Sequence, residues 1–192
     1  MNVLVAGASG GIGGAVSAAC RMKGWRTVAV DRADFAKEGH ILENAQYDAF
    51  VFATGMCPVA SISNTTDEIF LETMRVNCGL FLRVVREIVS RRLYSQDGMK
   101  IVAVSSVSAN EGWSGGGAYC ASKGALSALA RALDAELQPK GISVEAIEPR
   151  YVLTKMFREG AGRMGVPESL AASPESVADD IIGKIERAAG GK

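Results

Sequence analysis

Five short apolar runs punctuate the chain, at residues 3–6, 27–30, 49–53, 100–105 and 143–148. They read as apolar stretches rather than polar–apolar alternations, the pattern of strands buried on both faces. Between them the period changes to that of a helix. A glycine turn and a helix ending near Gly24 separate the first two runs, so the chain opens as a strand–helix–strand unit. In residues 73–89, Asn77 aligns with Phe81, Val84 and Ile88 at offsets of 4, 7 and 11. In the helix that begins near Ala118, Lys123 aligns with Leu126, Ala130, Leu133 and Leu137 at offsets of 3, 7, 10 and 14. A last helix is expected over 173–189, opened by the capping signal Ser173, Pro174, Glu175. Loops are marked by small residues at 114–117 and 159–165. Strands alternating with helices predict an α/β fold, a Rossmann-type doubly wound parallel sheet in three layers with about six strands. At 192 residues, with no linker or repeat, the chain reads as a single domain over 1–192.

Charge narrows the partners. The 21 basic and 21 acidic side chains balance, so no basic face points to nucleic acid or to an anionic membrane. Two uncharged stretches, 1–20 and 49–66, could be mistaken for a signal or a span, but glycines break the first and Gly55 and Pro58 the second. Cys20, Cys57, Cys78 and Cys120 have no paired spacing and lie in apolar patterns, which fits reduced thiols and no metal site. A cytoplasmic location is the expectation.

Two places carry candidate chemistry. Gly7, Gly11 and Gly13 lie between the first strand and the first helix, where a close-running backbone lets a diphosphate rest on the helix's unpaired amides. Asp31, eighteen residues beyond Gly13 at the end of the second strand, would accept hydrogen bonds from a ribose and repel a 2′-phosphate. That favours NAD over NADP, with Arg32 beside it as the opposing signal. The second place is Tyr119 and Lys123, four apart and therefore on one helical face. A lysine on an apolar stripe needs a partner, either a carboxylate or a bound ligand, unless its stem packs and its head reaches water. Its charge could lower the tyrosine's pKa by about one to three units and make it an acid/base group. Asn77 likewise needs hydrogen-bond partners, since a polar amide sits there on a mainly apolar stripe.

With Ser106 thirteen residues before Tyr119, the set Gly7-x-x-x-Gly11-x-Gly13, Asp31, Asn77, Ser106 and Tyr119-x-x-x-Lys123 resembles the short-chain dehydrogenase/reductase family from residue 1 to about 176. The resemblance implies an NAD(P)-dependent oxidoreductase that moves hydride between a nicotinamide and a secondary alcohol or ketone. Tyr119 would be the general acid/base, Lys123 would bind the nicotinamide ribose, Ser106 would hold the substrate oxygen and Asn77 would support a proton path. It also implies a cofactor site of Gly7, Ser9, Gly11, Ile12, Gly13, Asp31, Arg32, Ala53, Thr54, Gly55, Tyr119, Lys123, Pro149 and Thr154, with no metal. Trp113, Tyr151, Met156 and Phe157 are candidates for the substrate pocket or for ordinary packing.

Departures from the family pattern matter too. Only sixteen residues separate Asp31 from Asp48, where a helix, a strand and a second helix are usual, so the adenine side should be trimmed. Arg150 follows Pro149 where the family has glycine; it is either a clamp for an acidic group or an arginine turned to solvent. The family's last strand is not expected. A catalytically silent NAD-sensing or scaffold protein, and a nucleotide-sugar epimerase or dehydratase, remain as alternatives. The helix of Tyr119 is small or apolar all round, and Leu80, Leu82 and Val85 spread beyond one stripe in the other long helix. A homodimer through helices 69–92 and 118–137 is therefore expected.

Overall fold

The computed structural model describes residues 1–36, 39–162 and 165–190. Five parallel strands, β1 (Asn2–Ala6), β2 (Arg26–Val30), β3 (Ala49–Phe52), β4 (Met99–Val104) and β5 (Ile142–Ile147), form one sheet in the order β2-β1-β3-β4-β5. Central strands β1 and β3 are buried at nearly every position because helices cover both faces. β5 differs from the expected apolar run: it lies at the sheet edge, and its exposed side turns Glu145 toward Lys100 and Lys184. The expected loop at 159–165 includes residues 163 and 164, which lie outside the described residues.

One face of the sheet carries α1 (Gly11–Met22) and α6 (Pro174–Gly190). α6 buries Val177, Ala178, Ile181, Ile182 and Ile185 against Val3, Val5, Val51 and Val102 of the strands. The other face carries α2 (Asp67–Met74), α3 (Leu80–Ser90) and α4 (Gly117–Leu137). Phe81 of α3 stacks on Phe50, ring centroids 6.1 Å apart, and meets Phe52 at 5.4 Å. The stripe expected in α4 is buried throughout, Lys123 included. α2 and α3 are one rod joined by a π-helical turn, Arg75–Gly79, with Asn77 inside it. Such a turn widens the backbone ladder by one residue and re-aims side chains, which is why π turns concentrate at functional sites.

Among the described residues, the short stretch between β2 and β3 adds no strand to the sheet. Phe35 and Leu42 plug into the core, and α3 ties the backbone down: Glu87 accepts from the amides of Ile41 (3.2 Å) and Leu42 (3.1 Å), while Arg91 donates to the Leu42 carbonyl at 2.8 Å. This leaves β2 as the sheet's edge on the side of Asp31. The chain moves from β1 to β2 in one direction and returns to β3 in the other, so a crevice opens beyond the carboxyl ends of β1 and β3.

Candidate active site

The loops at that end of the sheet line a cavity of about 410 Å³. Its wall includes Ile12 of α1, Ala53, Thr54 and Gly55 after β3, Ser106 after β4, Tyr119 and Lys123 of α4, and Pro149 and Thr154 after β5. Trp113, Tyr151, Met156 and Phe157, candidates for a substrate pocket, also line it. Gly7, Ser9, Gly11, Gly13, Asp31 and Arg32 lie to one side, at the mouth between β1 and β2, and Asn77 lies behind the wall.

The glycine turn is fixed by close approach. Gly7 has φ +85°, and a Cβ on Gly13 would stand 2.1 Å from the Gly7 carbonyl oxygen, so a side chain there would push the turn and the helix apart. α1 starts at Gly10 without a side-chain cap and with no acid in its first turn. Its end thus presents free amides and positive potential, a setting that could hold a diphosphate. Ser9 donates to Asp31 from its amide (3.1 Å) and its hydroxyl (2.9 Å), which links the turn to the end of β2. Arg32 reaches the other way and donates to the Gly55 carbonyl at 3.0 Å. The Thr54 hydroxyl is buried without a partner, an unmet polar atom at the cavity wall. These features fit a nicotinamide dinucleotide at its diphosphate and ribose positions, while the adenine side has only the short 31–48 stretch beside it.

Lys123 is 5% exposed, and its ammonium donates to the Val104 carbonyl at 2.8 Å. Among the described residues it has no carboxylate partner. Of the partners open to it, the free protein supplies a backbone carbonyl. Burial pulls its pKa down to about 8, against the opposing influence of the Cys57 and Cys78 thiols. Tyr119 lies beside it, the ammonium 5.7 Å from the centre of the ring.

The structure corrects the expected direction for Tyr119: burial pushes the phenol up to about 12, Cys57 adds to the rise, and a hydrogen bond with Ser106 only partly opposes it. The ammonium sits over the ring and is committed to a carbonyl, so desolvation of the phenolate wins. Ser106 also accepts from the Ser108 amide at 3.1 Å. That bond orients its oxygen and leaves its proton available to a ligand or to Tyr119.

Asn77 is fully buried and outside the cavity wall. It treats Met56 as a strand edge would, accepting from its amide at 2.8 Å and donating to its carbonyl at 2.9 Å, with a further donation to Ser122 at 2.8 Å. Through Met56 it holds the Gly55–Cys57 turn in front of Lys123. Thr154 caps the short helix α5 (Lys155–Glu159) by accepting from the Phe157 amide at 3.2 Å, and its methyl group packs on Gly11.

Two participants had no clear signal in the pattern of residues. Cys57 lines the cavity near Tyr119 and Lys123, and Glu111 pairs with Arg150 at 2.6 Å. Arg150 is thus more than half exposed and paired with a carboxylate from the loop after β4.

Comparison with known proteins agrees with this architecture. A family model described as short chain dehydrogenase matches residues 40–162. The chain is 28% identical over 153 residues to an NAD-dependent glycerol dehydrogenase of Listeria innocua, covering 72% of this chain and 59% of that protein. It is 30% identical over 178 residues to an L-xylulose reductase of Bos taurus, covering 81% of this chain and 73% of the reductase. In three dimensions it superposes on an oxidoreductase from Burkholderia thailandensis with a TM-score of 0.82 at 24% identity, covering 98% of this chain and 86% of the other. The chain belongs to the short-chain dehydrogenase/reductase family.

Proposed function

We propose that the protein is an NAD(P)-dependent oxidoreductase acting on a secondary alcohol or ketone, with Tyr119 as the proton-transfer group. The observation that carries this reading is the convergence of Ser106, Tyr119 and Lys123 on one cavity at the crevice of a parallel sheet. A nicotinamide bound there supplies or takes up the hydride. The residues of the chain do the rest. Tyr119, a protonated phenol at neutral pH, gives its proton to the oxygen of a ketone as that oxygen gains negative charge. Ser106 donates a second hydrogen bond to the same oxygen, a preorganised dipole that strengthens as charge develops. Lys123 then lies beside a phenolate, and its charge offsets what burial makes costly. Asn77 acts at one remove as a positioning residue, through the Met56 peptide.

This arrangement speaks against a silent scaffold, for which a buried ammonium in the cavity wall would be a cost without a return. An epimerase or dehydratase would use the same tyrosine on a larger sugar nucleotide, whereas the relatives above are a dehydrogenase and a reductase by name, which supports the oxidoreductase reading. If Tyr119 transfers the proton, Tyr119→Phe lowers turnover by about two to four orders of magnitude with NADH affinity nearly unchanged. Steady-state rates and NADH fluorescence titration check this, and near-normal turnover in the variant would remove Tyr119 from the role.

Cofactor choice rests on Asp31. Its carboxylate, tethered by Ser9, stands where it would accept from a ribose and repel a 2′-phosphate, which supports NAD; the glycerol dehydrogenase relative is NAD-dependent by name. Arg32, tied to Gly55, is the nearby cation a 2′-phosphate would use. Comparing kcat/KM for NADH and NADPH should show a preference for NADH that narrows in Asp31→Ala. A wild-type preference for NADPH would transfer the determinant to Arg32.

Assembly follows from the uncovered faces of α2, α3 and α4. Leu80 and Val85 are buried, contrary to the expected spread, but Phe70, Leu71 and Leu82 are exposed, as are Ala121, Ala128 and Ala132 of α4. A small-residue face beside exposed large apolar side chains suits a two-fold contact with a second copy. Light scattering coupled to size exclusion should find a dimer that Ala128→Glu dissociates. A wild type that stays monomeric and active at micromolar concentration contradicts it.

A further inference from the structure

Arg150 and Glu111 deepen the reading of this same cavity, and the inference rests on its being a substrate site. Three charged side chains line the cavity among the described residues: Lys123, Arg150 and Glu111. Lys123 is committed deep in the wall to Val104. Arg150 and Glu111 stand on the loops after β5 and β4 and meet at 2.6 Å, each more than half exposed.

The pair is not what holds those loops together. Asn110 donates to Glu148 at 2.7 Å and the Val107 amide to the Pro149 carbonyl at 3.3 Å, so the loops stay joined when Glu111 lets go. Release is also cheap, because an exposed ion pair in water is weakly held. Arg150 makes one hydrogen bond to Glu111, through Nη2, and a guanidinium has five donors, which leaves most of its fork for another planar acceptor. Once Glu111 has swung to solvent, the cavity keeps two cations and no anion.

We propose that the substrate carries a carboxylate away from the reacting carbon, and that Glu111 holds that carboxylate's place on Arg150 until the substrate displaces it. The ligand class is an oxo acid or its hydroxy-acid counterpart. Exchange of one carboxylate for another keeps Arg150 paired throughout and gives the site selectivity against neutral ketones, which offer nothing to replace Glu111.

The test uses 4-oxopentanoate and its methyl ester, which share a ketone and differ in charge. Calorimetric binding to the protein without cofactor is measured alongside NADH-dependent reduction. Glu111→Gln should bind the acid about five- to tenfold more tightly with the ester unchanged, Arg150→Ala should lose the preference for the acid, and Arg150→Lys should keep part of it. Thermal unfolding of each variant confirms that it is folded. If Glu111→Gln alters acid and ester equally, or if Arg150→Lys and Arg150→Ala retain the wild-type preference, the proposal is overturned. Acid-selective binding without reduction would support the anion site while counting against the oxidoreductase reading; reduction of both compounds with no acid preference would do the reverse.

Discussion

A buried ammonium without a carboxylate is the constraint around which the site is arranged. Lys123 lies in the wall between α4 and β4, and a charge in such a place is tolerated only where fixed dipoles face it. The Val104 carbonyl is one. The neighbouring interactions keep that geometry in register: Ser105 donates to the Lys123 carbonyl at 3.0 Å, Ser127 contacts Ser105 at 2.8 Å, and Asn77 fixes the turn in front.

The same constraint separates the two ends of the cavity. At the α1 end, the glycine turn and the uncapped helix start lie beside the Asp31 carboxylate, which Ser9 tethers through its amide and hydroxyl. At the far end charge is handled by side chains that can move, Glu111 and Arg150. Tyr119 stands between them, against Trp113 with ring centroids 6.4 Å apart, where burial pushes its pKa up.

Most of the fold was legible in the sequence because it rests on period and punctuation. Five apolar runs became five strands, and the stripes of α4 and α3 are buried where their spacing put them. Lys123 and Asn77 stood out for one reason, polarity on an apolar stripe, and both proved to be buried and hydrogen-bonded. What could not be read was whatever depends on distant segments meeting. The edge position of β5 depends on which strands meet, although its polar Ser143 and Glu145 stand in the sequence. The pKa of Tyr119 is raised rather than lowered because burial, a property of the whole fold, outweighs the hydrogen bond with Ser106. Glu111 opposite Arg150, 39 residues apart in sequence, had no signal at all.

The most direct measurement is the titration of Lys123 itself, by carbon-13 NMR of its side chain on the protein without cofactor, with Lys123→Met used to assign the resonance. A pKa near 8 is expected. Because the folded value lies below that of an unfolded lysine, about 10.4, the folded protein releases this proton first, so stability should rise with pH between about 8 and 10.4 and show no contribution from this group's titration below that window. A titration at or above 10.4 would mean that the ammonium is solvated or paired with a carboxylate, and would contradict an active site built around a buried ammonium held by a backbone carbonyl alone.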